Sequence, residues 1–305
     1  MQVSLEFFSL HCSLFRYHLL KTKRNRMFDK IEKIGNSTIQ HGKNNNRVYL
    51  LKLDRADCPA IIPKISALAD QYKYTKLFAK VPAWAWNDFK SAGFEKEAHI
   101  PKFYSGKDDA LFLGKYLDDA RAQLDRQSRH DIEKNIQLAQ GKQQALENPG
   151  TCPFEIRRLG EEDISQLTAL YRLVFKFYPF PIFKDDYIKQ TMLENIIYFG
   201  VFFGKKLIAA SSAEMDQKSQ NVEMTDFATD PQYTGNNLAL FLLREMEVEM
   251  PGLGIKTLYT IARSNSAGMN ITFAKAGYTF SGTLINNTHI FDEIESMNVW
   301  YKSLV

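Results

Sequence analysis

Cysteine is scarce in this chain: three residues in 305, at Cys12, Cys58 and Cys152. The number is odd and no Cys-x-x-Cys occurs, so neither a disulfide framework nor a thiol-rich zinc site is expected. The three read as free thiols in a reducing cytoplasm. The six histidines share no ligand spacing, and no metal is assigned. No apolar run reaches the length of a membrane-spanning helix, so no membrane partner is expected. A strong charge excess is missing too. The formal net charge is +4 and the basic residues are scattered, which is too weak a field to argue for nucleic acid.

What is present is a foldable chain. Apolar residues make up 45%, enough for a packed core, and 305 residues suffice for two ordinary domains. The first 26 residues stand apart. "LEFFSLHCSLFRYHLL" is apolar but broken by Arg16, and a basic cluster, Lys21 to Arg26, follows it, the reverse order of a signal peptide. Residues 1–26 are therefore expected to be an upstream extension, with Met27 the natural first residue.

Beyond Met27, short alternating stretches such as "RVYLLKL", "KLFAKVP" and "ALFLGKYL" predict strands around a helix over about 58–72. A polar stretch rich in Gln, Arg and Ala, 117–150, predicts a solvated connecting helix ended by Asn148-Pro149-Gly150. A second unit begins near Phe154. There "IIYFGVFFGKKLIAASSAEM" reads as two strands, "NVEMTDFAT" as the next, and a helix from Gly235 to Glu249 separates it from "TLYTIA". Strand–helix–strand spacing implies a parallel crossover and a mixed α/β sheet. The expected organisation is 27–116, a linker over 117–150, and 151–305. Residues 76–97 and 257–282 also echo one another, each ending Phe…Gly-aromatic (Phe89…Gly93-Phe94 and Phe273…Gly277-Tyr278), which points to a duplicated fold.

The stretch Gln232-Tyr233-Thr234-Gly235-Asn236-Asn237 lies between a strand and a helix beginning near Leu238. At such a mouth the first backbone N–H groups are unpaired and, with the helix dipole, form an anion site suited to a pyrophosphate. The stretch resembles the acyl-CoA site of the GNAT N-acetyltransferase superfamily, Gln/Arg-x-x-Gly-x-Gly/Ala after a strand. Asn237 stands where Gly or Ala is usual. Asn265, Ala267 and Phe273-Ala274-Lys275-Ala276-Gly277-Tyr278 resemble the second half of the pattern, and the match covers about 154–305. "EMTDFATDP", "YPFPIF" and "HIPKFYSGKDDALFLGKYL" are similar to the β-lysine N-acetyltransferase family, whose members carry a degenerate GNAT-like unit before the active one.

That resemblance implies acetyl transfer from acetyl-CoA to the side-chain amine of β-lysine, giving Nε-acetyl-β-lysine, a compatible solute. It implies acetyl-CoA contacts from Phe227, Ala228, Thr229, the 232–238 stretch, Asn265, Asn270 and Phe273. An alkyl ammonium has a pKa near ~10.4 and must lose a proton before it attacks a thioester. Some GNAT enzymes carry a base at the position of Glu223, with Asp226 and Glu214 the alternatives here. Phe273 replaces the Tyr that often protonates the thiolate, so no acid is assigned; Tyr259, Tyr278 or water are open. The segment 171–198 is expected to wall the acceptor pocket, with Tyr178, Asp185, Asp186 and Asp226 as contacts. The alternatives are acylation of another small amine or peptide N-terminus, or an acyl-CoA-binding protein without activity. A homodimer is compatible with either.

Overall fold

The structure is a computed structural model and describes residues 29–143, 150–176, 178, 180–290 and 293–305. The expected extension 1–26 and the Asn148-Pro149 stop lie outside the described residues. Contacts divide the chain into two compact units: residues through Lys96 with Leu111–Arg121, and Glu97–Ala110 with the chain from Ala122 onward.

The first sheet contains β1 (Lys30–Ile34), β2 (Ser37–Gly42), β3 (Arg47–Lys52), β4 (Lys76–Pro82), β5 (Glu95–Tyr104) and β6 (Asp108–Tyr116), in the order β1-β2-β3-β4-β6-β5. Helix α1 (Ile61–Tyr72) carries the chain from β3 to its parallel neighbour β4. Ile61, Ile65 and Ala69, one turn apart, form its buried stripe over that sheet. Helix α2 (Trp86–Ser91) follows β4, and α3 (Asp119–Ala122) and α4 (Arg126–Gln143) follow β6.

The second sheet runs β12-β13-β11-β10-β9-β8-β7. Its elements are β7 (Glu155–Arg158), α5 (Ile164–Val174), α6 (Asp185–Glu194), β8 (Ile196–Phe203), β9 (Lys206–Asp216), β10 (Asn221–Thr229), α7 (Leu238–Glu249), β11 (Thr257–Arg263), α8 (Ala267–Lys275), β12 (Thr279–Ile290) and β13 (Glu293–Ser303). Taken from β8, the order β8-β9-β10-β11-β13-β12 repeats that of the first sheet. In each, one parallel pair is spanned by a helix: β3/β4 by α1, β10/β11 by α7.

The echo in the sequence is one turn built twice. Gly93 and Gly277 both sit at φ +85°, the left-handed conformation that ends a helix without a Cβ clash. Phe94 N donates to Phe89 O and Tyr278 N to Phe273 O, both at 3.1 Å. The paired rings meet edge to face at 5.0 and 5.1 Å.

Two expectations need correction. Residues 97–110 cluster with the second unit, because the hairpin bonds there: Ser105 N donates to Ser219 O at 2.7 Å, and Ser281 Oγ to His99 O at 2.7 Å. Helix α4 is also more than a solvated connector. Ile132 and Ala139 are buried, Asn135 Nδ2 donates to Ser264 O, and Gln143 Nε2 donates to Tyr278 O, both at 3.0 Å. Its apolar seam is thin because polar side chains supply much of its attachment.

Candidate functional site

Strands β10 and β11 pair in parallel only at Asn221–Thr257, Val222–Leu258 and Glu223–Tyr259. Past Glu223 they part. Strand β10 continues to Thr229 against β9 alone, and β11 continues to Arg263 against β13 alone. The result is a wedge whose β10 edge has backbone groups available to an extended ligand arm. In the first sheet the equivalent seam stays closed from Arg47–Lys76 to Leu50–Ala79, two residues short of the end of β3.

A bulge shapes the open edge. Thr225 pairs with Ser212 but Ala228 pairs with Ala210, so two residues of β10 oppose one of β9. Asp226 sits in the bulge at φ +56°. The bulge returns Thr225 and Ala228 to the same face, the one covered by α5 and α6, while Phe227 packs on the other face against Phe273, ring centres 5.6 Å apart.

On the α5–α6 face, cross-strand partners stand side by side. Glu214 is opposite Glu223, and Ser212 lies between Tyr198 and Thr225. Both glutamates are half-buried. Asp226 accepts from Ser212 Oγ at 2.6 Å and from the Tyr178 hydroxyl. Burial first, then the charge of Asp226, pushes the hydroxyls of Tyr171, Tyr178 and Tyr198 well above the usual tyrosine range, so all three are neutral donors. The face therefore joins three carboxylates to a set of tyrosines. The start of α5 is pinned by Asp163, which accepts from Arg157 Nη1 at 2.6 Å and Gly160 N at 2.9 Å; the guanidinium holds its carboxyl below the usual range.

At the end of β10, Asp230 accepts from Gln232 N at 3.0 Å and from Lys206 Nζ at 2.8 Å, opening a single helical turn over 231–233. Gly235 and Asn237 then adopt φ of +86° and +55°, which is why α7 begins at Leu238 and not at Gly235. Among the described residues, the backbone N–H groups from Gly235 to Ala239 have no backbone acceptor; the first used is Leu240 N, bonded to Asn237 O at 3.0 Å. Nothing lies within 4 Å of a Cβ built on Gly235. The mouth is thus a ring of free donors over open space. Asn at 237 is the side chain besides Gly best suited to that left-handed position.

Other expected residues lie elsewhere or do something else. Asp185 and Asp186 are exposed at the start of α6, where Asp185 accepts from Thr168 Oγ1 at 2.7 Å and ties α6 to α5. Asn265 is exposed in the turn before α8. Asn270, expected at the cofactor, has its amide saturated. It donates to Arg263 O and Ser266 O and accepts from Asn298 Nδ2 and Trp300 Nε1, all between 2.8 and 3.0 Å. That leaves it a latch between α8, β11 and β13, not a ligand contact. Tyr278 faces the α7 side, where burial first and then the neighbouring carboxyl of Glu247 push its hydroxyl well above the usual tyrosine range. Tyr259 stands beside Glu223 by register, its ring 5.0 Å from Phe103. Ser212 was missed, and Tyr171 and Tyr198 were expected only as part of the 171–198 segment. The pair Ser211-Ser212 inside the apolar run of β9 was the available signal.

A model of the Acetyltransferase (GNAT) family matches residues 167–278. The chain is 38% identical to the β-lysine N(6)-acetyltransferase of Methanococcus maripaludis over 90% of this chain and 98% of that protein. It is 32% identical to the N-acetyltransferase YodP of Bacillus subtilis, covering 88% and 96%. To the β-lysine N(6)-acetyltransferase of Methanosarcina mazei it is 29% identical, covering 79% and 95%.

Proposed function

This chain belongs to the β-lysine N6-acetyltransferase family, within the GNAT acetyltransferases, and from that premise we propose that it moves an acetyl group from acetyl-CoA to the side-chain amine of β-lysine. The observation that carries the reading is the open β10–β11 wedge, with free helix-mouth donors at one end and Glu223 at the other. The residues present fit the cosubstrate: donors at 235–239 suit a pyrophosphate, and the β10 edge at Phe227, Ala228 and Thr229 suits the amides of the pantetheine arm. When bound, acetyl-CoA supplies the thioester carbonyl.

Glu223 takes the proton from the acceptor ammonium, directly or through a water, because only the free amine is nucleophilic. Backbone N–H on the open edge of β10 would donate to the carbonyl oxygen of the bound thioester as negative charge develops there. Phe273 has no proton to give, so the leaving thiolate departs without a side-chain acid at that position. Asp185 and Asp186 are left out of acceptor binding in this reading, since they are exposed and Asp185 is engaged with α5. The product is a neutral solute suited to osmoadaptation in the cytoplasm.

Release of CoA thiol from acetyl-CoA, measured with β-lysine, α-lysine and polyamines, tests the function. We expect β-lysine to turn over fastest. Equal rates on α- and β-lysine would remove the assigned specificity. Phe273 favours a second reading, an acyl-CoA-binding protein without activity, which binding of CoA with no turnover on any amine would support.

Asn237 tests the mouth. Asn237→Gly should keep CoA affinity, whereas Asn237→Val forces a β-branched residue into the left-handed region at about 1–2 kcal/mol. Calorimetry should then show CoA binding weakened by roughly tenfold. Equal affinity in both variants would take the phosphates away from this turn.

A further inference from the structure

Helix α5 presents Tyr171 to the sheet among Leu167, Leu170, Ala210 and Ala228, beside the bulge that carries Asp226. Tyr171 is fully buried, and its hydroxyl has no hydrogen-bond partner among the described residues. A buried tyrosine normally finds one, because an unmade hydrogen bond leaves its desolvation uncompensated. The charge of Asp226 and the rings of Tyr178 and Tyr198 are its polar surroundings. Ring contacts continue from Tyr171 to Phe175 at 5.6 Å and from Phe175 to Tyr178 at 5.1 Å, and Tyr178 reaches Asp226.

We propose that Asp226, with the hydroxyls of Tyr171 and Tyr178, binds the second ammonium of a diamine acceptor, the one that is not acetylated, and so selects a diamine over a monoamine. The inference rests on the acetyltransferase reading above. Asp226 is held in place: Ser212 and Tyr178 each donate to one of its oxygens, and it sits in the bulge at φ +56°. It is a carboxylate with aromatic walls, which suits an ammonium on an aliphatic stem. Glu223 is three residues along the same strand, roughly 10 Å at the rise of an extended chain. The two carboxylates can thus serve the two ends of one short diamine. Tyr171 has a hydroxyl lone pair to offer an N–H donor, which accounts for keeping a polar group where Phe would fill the same space.

The probe pair is β-lysine and 6-aminohexanoate, which differs by lacking the β-amino group. Binding of each in the presence of CoA is measured by calorimetry for the wild-type chain, Asp226→Asn and Tyr171→Phe, with turnover followed in parallel. Wild type should prefer β-lysine by at least about tenfold. Asp226→Asn should abolish the preference by weakening β-lysine binding at least about tenfold. Tyr171→Phe should reduce the preference without lowering the melting temperature of the ligand-free chain. An undiminished preference in both variants overturns the proposal. So does loss of 6-aminohexanoate turnover in Asp226→Asn with the binding preference intact, since that would make Asp226 the base. Failure of the acetyltransferase reading itself would show differently, as no thiol release from the wild-type chain with either amine.

Discussion

Replacing Glu223 by Gln should lower kcat by about 10²–10³-fold while the Kd for acetyl-CoA stays within about twofold. The carboxamide keeps the shape of the carboxylate at the last β10–β11 pair but cannot accept a proton. Glu223 is half-buried beside Glu214, and in the proposed mechanism backbone groups further along place the cosubstrate, so binding and proton removal should be separable. The residual rate has a signature. At neutral pH only about one amine in 10³ is unprotonated, given a pKa near ~10.4. In Glu223→Gln the rate should therefore climb about tenfold per pH unit through the alkaline range, as bulk solvent takes over the deprotonation. The wild-type rate should level off earlier. An unchanged kcat would pass the role of base to Asp226 or Glu214.

Asn270→Ala should destabilise the second unit by roughly 3 kcal/mol, because two buried donors, Asn298 Nδ2 and Trp300 Nε1, lose their acceptor at once. Asn298 and Trp300 are both fully buried, so water cannot replace it. The melting temperature should fall by roughly 6–12 °C. Asn270→Asp is the informative companion. It keeps the acceptor but sets a buried carboxylate oxygen against Arg263 O and Ser266 O, so it should destabilise at least as much as Ala. A fall in CoA affinity with no change in melting temperature would return Asn270 to the ligand.

The mixed sheet, the strand β10, the helix after Gly235 and the repeated Phe…Gly-aromatic turn were all legible, because each depends on local patterns of apolar period and glycine. Asp226 was legible as a residue but not as a bulge. "NVEMTDFAT" alternates well enough to read as one continuous strand, and only pairing with β9 reveals the extra residue. Asn270 misled for a related reason. An asparagine in a helix after a cofactor loop suggests a ligand, yet the two donors it accepts from come from β13, nearly thirty residues on. Tyr171 opens the segment expected to wall the acceptor pocket, and in the structure it packs into the core beside Leu167 and Leu170; the sequence cannot report that its hydroxyl has no hydrogen-bond partner among the described residues.

The turn that is built twice bears on the puzzle of Phe273. Its counterpart Phe89 makes the same backbone bond and the same edge-to-face contact in the first sheet, where β3 and β4 pair over four residues against three for β10 and β11. The ring at this position thus has a structural job apart from any chemistry: it locks the end of a helix onto the following strand. A phenol there, where other acetyltransferases have one, is an acid fitted onto a structural rivet. In this chain the rivet stands without it, and the molecule carries its own control for what that ring does when catalysis is subtracted.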